Sequence, residues 1–484
     1  PAAAPAVGSL LEGREPGRRE EMLAAYGGSE ATETAVARAL AWLAKQQRKD
    51  GLWSLQGPYL DGASQENRLA ATAMALLAFQ GAGHTHKEGG YRKEVEKGWN
   101  ALLDMQDRDG LFFHEGVHNH RLYTQAQCTI ALCEIYGMTK DPKFKKPAQL
   151  AVDYAIRIQS RQGGWRYTPG EDADLSVTGW FVIALQSAMM AGLEVPSPAL
   201  DKISQFLDSV ASENGTRYSY RPEERGPTPT MTAEALLCRQ YLGWARNDPR
   251  LIDGVQYVLA NPIDWDGEKN VYYWYYAAQV THHMEGEYWK EWNKVMRQVL
   301  PSKQEKSGND AGSWSPSGDR WGGYAGRLYE TCLCIYMLEV YYRHLPIYQW
   351  RPAREVVAEI CAWWRAAPER PTILFGYAFG KAQRLLAELA LLGVTDEILL
   401  HGAVQALMPA YRAQGVPLPP TRPVSELPRR EDLAGRLVIA PPGALRGRGL
   451  SHLKTPQTAF VSGWMAVRGA RRRRGTGEDE ESKA

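Results

Sequence analysis

A short phrase returns through the N-terminal part of this chain, and its period limits the possible fold more than any other feature. It reads Gln47-Arg-Lys-Asp50-Gly51-Leu-Trp53, then Gln106-Asp-Arg-Asp109-Gly110-Leu-Phe112, then Gln159-Ser-Arg-Gln162-Gly163-Gly-Trp165. Weaker copies follow at Asn214-Gly215 with Tyr218, at Asp266-Gly267 with Tyr272, and at Gly312 with Trp314. The glycines recur at intervals of 45 to 59 residues, the length of a helical hairpin with its loops.

An amphipathic segment precedes each phrase and a more apolar one follows it. The preceding helices are expected over 31–47, 92–106, 143–159, 197–210, 248–260 and 286–300, and the following ones over 68–80, 123–136, 174–191, 228–243, 271–284 and 327–344. Two of the first set open alike, with Asp141-Pro142 and Asp248-Pro249, an N-cap acid before a proline at the first helical position. A helix with little polar surface has to be surrounded by others. Six polar-faced outer helices and six apolar inner ones predict a mainly α fold, an (α/α)6 toroid over 31–348, preceded by a tail over 1–30.

Composition sets the outer bounds. The 484 residues are 44% hydrophobic, enough for more than one core, and a net charge of +2 supplies no whole-chain attraction to nucleic acid or to a membrane surface. Six cysteines form no CxxC pair and sit mostly in apolar helical runs, so they leave the compartment open. No run of about 18 apolar residues occurs, and no spanning helix is expected. The chain opens at Pro1 in an Ala/Pro-rich stretch, which reads as a truncated start whose targeting signal, if there is one, lies upstream.

The Gln-x-x-Asp-Gly-x-Trp phrase resembles the QW repeat of squalene-hopene cyclases and of prenyltransferase β subunits, over about residues 31–345. Glycine permits the tight turn, the aromatic ring stacks over the junction, and glutamine can bond a neighbouring helix end, so these residues hold the ring together. The resemblance to class II terpene cyclases implies a proton-donating aspartic acid in an Asp-x-Asp-Asp-Thr motif at the start of an inner helix. Asp172-Ala-Asp174-Leu175-Ser176 occupies that place, with Asp174 matching the donor, Asp172 beside it, and Leu175 in place of the third acid. Asp174 is equally placed to cap the helix that starts at Leu175, the commoner role for an acid. An aromatic-lined cavity suits an isoprenoid or another apolar ligand, and Trp165, Trp180, Tyr273 and Trp274 are the candidates to line it.

No cofactor follows from this resemblance. The zinc set of prenyltransferase β subunits has no Asp-x-Cys counterpart here, and Cys332, Cys334, His282, His283 and His344 lack its spacing. The loop histidines His84, His86, His114, His118 and His120 are expected on the surface, and no metal site is expected.

After Tyr348 the repeat stops. Thr372–Tyr377, Leu399–Gly402 and Leu437–Pro442 read as strands with helices between them, and Val416–Pro423 as a proline-rich loop. Residues 352 to about 474 resemble the β-CASP region of ligase-associated DNA exonucleases, on Phe375-Gly-Tyr-Ala-Phe-Gly-Lys-Ala-Gln-Arg384, Ala440-Pro-Pro442 and Ser462-Gly-Trp-Met-Ala-Val-Arg-Gly-Ala-Arg-Arg-Arg-Arg474. The resemblance implies metal ligands on both sides of this stretch. The chain carries none of them there, so 349–475 is expected to be an incomplete α/β fragment, inactive by itself, with a charged tail over 476–484. Lys381 and Arg384, with Arg471–Arg474, are its weak candidates for phosphate contact. Three readings of function follow: an isoprenoid-binding, cyclase-like ring, a non-catalytic ring that binds a protein or peptide, and an inactive exonuclease remnant.

Overall fold

Helices of two kinds alternate along the chain, because apolar residues are spaced at three and four in one kind and fill nearly every position in the other. The computed structural model describes residues 11–14, 17–114, 116–224, 226–343, 347, 353–375, 381–427, 433–441, 444 and 456–460, in two compact units within 10–348 and 349–465. In the first unit, α1 (Arg18–Tyr26) precedes six outer–inner pairs: α2 (Glu30–Gln46) and α3 (Arg68–Gly81), α4 (Arg92–Leu103) and α5 (Arg121–Thr139), α6 (Pro142–Arg157) and α7 (Leu175–Ala191), α8 (Ser197–Ser209) and α9 (Pro229–Tyr241), α10 (Pro249–Leu259) and α11 (Val271–Met284), α12 (Gly286–Lys303) and α13 (Gly322–Leu338). A single turn, α14 (Val340–Arg343), follows. Outer α10 buries only Leu251, Gly254, Val255 and Val258, whereas inner α11 is buried at every residue.

Each inner helix packs on the next, and α13 returns to α3; on the outside, α12 returns to α2. The circle is closed. The structure is therefore the mainly α, (α/α)6 toroid that the period predicts, with element ends within a few residues of those expected.

The recurring phrase builds the joints. Gln47 donates to Gly51 O in its own turn and to Glu94 O of the next outer helix, both at 2.9 Å. Gln159 bridges Gly163 O and Ala199 O in the same way, and Gln304 bridges Gly312 O to Ala35 O, which joins the last repeat to the first. The tryptophan indoles hook backwards: Trp53 Nε1 donates to Leu43 O, Trp165 Nε1 to Ala155 O and Trp314 Nε1 to Leu300 O, at 2.7–2.8 Å. Their backbone N–H groups donate to Thr72, Thr178 and Thr331 on the inner helices. Only glycine suits the turn, because Gly51 sits at φ 93° and a Cβ there would lie 2.7 Å from Lys97 O.

The fifth joint departs from this pattern. Gly267 is not left-handed, and Tyr272 lies inside α11 rather than in the turn. Lys269 takes over there, buried with its ammonium 2.7 Å from Glu330 and donating to Ser315 O at 2.6 Å.

The N-terminal boundary also departs from expectation. Residues 11–14 and 17–26 are part of the ring, because Leu11 and Arg14 are buried and α1 is tied down by Arg19, which donates to Ala82 O at 2.9 Å and pairs with Glu33. Among the described residues, no helix is long and apolar enough to cross a membrane. All six cysteines are buried free thiols.

The second unit is α/β. Helix α15 (Ala353–Arg365) leads into β3 (Thr372–Phe375), α16 (Lys381–Leu391), β4 (Ile398–Leu400), the short α17 (Gly402–Gln405) and α18 (Met408–Ala413), β5 (Thr421–Pro423), β6 (Leu437–Ala440) and β7 (Gln457–Phe460). Two two-residue strands, β1 (Ala211–Ser212) and β2 (Arg217–Tyr218), belong to the ring. The five later strands form one parallel sheet in the order β5-β4-β6-β3-β7. The expected proline-rich loop over 416–423 is a loop only in part, since Thr421–Pro423 pair with Ile398–Leu400. Pro423 is tolerated because β5 is an edge strand, where a missing N–H breaks no ladder.

Candidate functional site

The candidate acid stands where the third joint meets its inner helix. Asp174 has extended backbone angles, φ −132° and ψ 162°, and caps α7: Val177 N–H donates to its Oδ1 at 2.8 Å. The Ser176 hydroxyl donates to the same oxygen at 3.1 Å. On the other oxygen the Tyr220 hydroxyl donates at 2.8 Å, and the Arg166 guanidinium lies 3.2 Å away. The residue is 0% exposed.

Asp172 lies outside this shell, partly exposed, where it pairs with Arg166 at 2.8 Å and with Arg221 at 3.7 Å. A second layer holds the donors in place, with the Tyr167 and Tyr220 hydroxyls 2.8 Å apart and the Tyr123 hydroxyl bonded to Ser176. Burial pushes the Asp174 carboxyl up, while Val177, Tyr220, Ser176 and Arg166 all hold it down. An acid that hands over its proton needs one oxygen free to present it. Here every neighbour of the carboxyl is a donor or a cation, and both oxygens are engaged.

The axis of the ring is occupied by side chains. Helices α7 and α11 are separated by α9, yet Trp180 reaches across to stack on Tyr275, with ring centroids 5.6 Å apart and planes at 15°. Tyr275 continues to Tyr336 of α13 at 5.8 Å, and the Tyr336 hydroxyl donates to Met74 O of α3 at 2.6 Å. Tyr272 and Tyr276 meet edge to face at 5.2 Å beside them. Such contacts are the ordinary means by which aromatic rings fill a core.

No family model matches the chain. Among curated proteins it is similar to squalene–hopene cyclases. The similarity is 26% identity over 222 residues to a probable squalene–hopene cyclase of Sinorhizobium fredii, covering 39% of this chain and 31% of that one. It is 24% over 284 residues to the squalene–hopene cyclase of Bradyrhizobium diazoefficiens, covering 50% and 42%. The chain thus spans about a third to two fifths of the length of these relatives. A probable DNA ligase of Opitutus terrae is 29% identical over 130 residues, 26% of this chain and 12% of that protein. Of solved structures, a type II terpene cyclase from Scytonema, in complex with its substrate geranylgeranyl dihydroxybenzoate, matches at 13% identity and a TM-score of 0.44, covering 65% of this chain and 98% of that one. The ring has a terpene-cyclase-like toroidal fold, which its own helix-to-helix closure establishes.

Of the four aromatic candidates, only Trp180 faces the axis. Trp165 is a joint residue, hooked to Ala155 O and stacked on Phe181 at 4.7 Å. Tyr273 points outward, donating toward Val258 O and Asn261 O at the end of α10, and Trp274 lies against Trp265. The loop histidines are separate: His86 pairs with Asp141, His118 with Thr168, and His114 with Met105 O. The side chains of Lys381 and Arg384, and Arg471–Arg474 altogether, lie outside the described residues.

The sequence reading overlooked the buried glutamates of the inner helices. Glu234 of α9 is fully buried, with the Tyr272 hydroxyl 3.2 Å and 3.3 Å from its two oxygens. That hydroxyl also lies 3.2 Å from Ser176 O, which can only accept. Burial pushes the Glu234 carboxyl well above the usual range, against the hydroxyl that Tyr272 donates to it. Glu330 and Glu339 of α13 and its end are pushed up to about 8 by burial, against the pull of Lys269 and Arg343. The available signal was a lone acid within an apolar inner helix, as in Met231-Thr-Ala-Glu234-Ala-Leu-Leu.

Proposed function

We propose that the ring is a non-catalytic, terpene-cyclase-like toroid that binds a protein or peptide partner at its surface, with Asp174 serving the fold as a helix cap. The observation that carries this reading is the packed axis, Trp180 on Tyr275 on Tyr336, where an aromatic-lined cavity for an apolar ligand would otherwise lie. The donor shell of Asp174 supports it, because a carboxyl with both oxygens engaged has none free to present a proton to an alkene.

A second reading draws on the similarity to squalene–hopene cyclases: an isoprenoid or similar apolar ligand lodged among Trp180, Tyr272 and Tyr275, which must then part to admit it. Incubating the full chain with squalene, followed by mass spectrometry of the lipid that co-elutes with the protein and of the total extract, separates the two. We expect unchanged squalene in the extract and none with the protein. A cyclised product that disappears in Asp174→Asn would overturn the non-catalytic reading.

A further inference from the structure

The inner helices end at a rim that closes on charge. Glu134 of α5 is buried there, and so is Glu339 beside Arg343. Arg343 donates to Glu339 Oε2 at 2.9 Å and to Leu77 O at 3.0 Å, and approaches Glu134 at 3.4 Å. Its guanidinium also lies over the Tyr336 ring at 4.7 Å. Of the two acids, Glu134 is the one that Arg343 holds only at the longer distance, a weak pairing for a buried carboxylate.

Residues 11–14 redress it. Arg14, 3% exposed, donates to Glu134 Oε2 at 2.8 Å and to the Arg343 carbonyl at 2.8 Å. The fit extends to the backbone. A Cβ on Gly13 would stand 2.5 Å from the backbone oxygen of Tyr342, so glycine is needed there, and Leu11 Cδ1 packs over Gly137, where a Cβ would stand 2.7 Å from it. Leu11, Gly13 and Arg14 thus enter a socket shaped by the ends of α3 and α5 and by the last turn of the ring, all distant along the chain. The helix that follows them is held by a different set of bonds, from Arg19.

We propose that this rim is a receptor for a short arginine-bearing peptide segment of the form Leu-x-Gly-Arg, filled in this structure by the chain's own Leu11–Arg14. The proposal rests on reading the ring as a peptide-binding toroid, and it names the site and the ligand class. Arginine supplies the planar donor that satisfies Glu134 and the Arg343 carbonyl together, which a lysine point charge cannot reproduce.

The test uses the full-length chain, its Arg14→Ala and Arg14→Lys variants, and a fluorescent peptide of residues 10–17 followed by anisotropy. The peptide should bind both variants at least tenfold more tightly than the wild type, whose own segment competes, and a peptide with alanine at the arginine position should not bind. If Arg14→Ala does not fold unaided, saturating peptide should raise its melting temperature, and Arg14→Lys carries the binding measurement. Flat anisotropy with both variants, or equal binding of the alanine peptide, overturns the proposal. Squalene turnover would bear on the non-catalytic reading alone, so the two failures remain distinct.

Discussion

The two ends of the ring treat buried acid in opposite ways. Around Asp174 the charge is settled locally, by Arg166, Ser176, Val177 and Tyr220, all from two consecutive repeats. At the other rim, Glu134 and Glu339 are settled by Arg343 and by Arg14, which come from the two ends of the ring segment. The first arrangement is complete as soon as its own repeats fold. The second is complete only when the circle has closed and the N-terminal segment has entered. A carboxylate can thus cap one helix or register the closure of a whole ring, and the sequence distance of its partners tells which.

The sharpest way to break this comparison is to remove Arg14. Arg14→Ala removes one partner of the buried Arg14–Glu134 pair and should destabilise the ring by about 3–5 kcal/mol, measured by urea unfolding. Asp174→Ala should cost less, about 1–2 kcal/mol, because it removes a cap whose other donors can turn toward neighbouring groups. Asp174→Asn, which still accepts from Val177, should fall below that. A larger loss from Asp174→Ala than from Arg14→Ala would reverse the ranking and mark the Asp174 shell as the long-range element. Tyr220→Phe comes next, with about 1 kcal/mol for a single hydroxyl donated to a buried acceptor.

The fold was legible because its signal is periodic: glycine and aromatic positions return at a hairpin's length, and polar faces alternate with apolar ones. The joints were legible as well, since a left-handed glycine and an indole donor do the same task at Gly51 with Trp53 and at Gly312 with Trp314. Asp174 could be placed in sequence, yet its role could not, because the Tyr220 hydroxyl that decides it lies a repeat away. Arg14 was read into a tail because one arginine in a polar stretch has no period and reveals nothing of a socket built from residues 134 and 343. Pro423 hid an edge strand behind the look of a loop, since proline in sequence carries no mark of whether its missing N–H faces a neighbour. Long-range polar pairing is the common cause of these misses.

Glu234 offers the finest test, because it has a neutral partner where the other buried glutamates have cations. Tyr272 is bonded to it, and the Asp174 charge adds to the burial that raises its carboxyl. A group whose folded pKa exceeds its unfolded value keeps its proton in the native state after the unfolded chain has lost it. From the ordinary carboxylate range upward the native state therefore binds more protons, and stability falls as pH rises until the folded group also titrates. Glu330 and Glu339, both pushed up to about 8, add to the same downward slope between pH 5 and 8. Glu234→Gln keeps the shape and the donor while discarding the titration. It should match the wild type within about 1 kcal/mol at pH 5 and exceed it at pH 8, in paired urea unfolding curves. If the two proteins share one slope, Glu234 is ionised in the folded ring, held by the hydroxyl that Tyr272 donates to it.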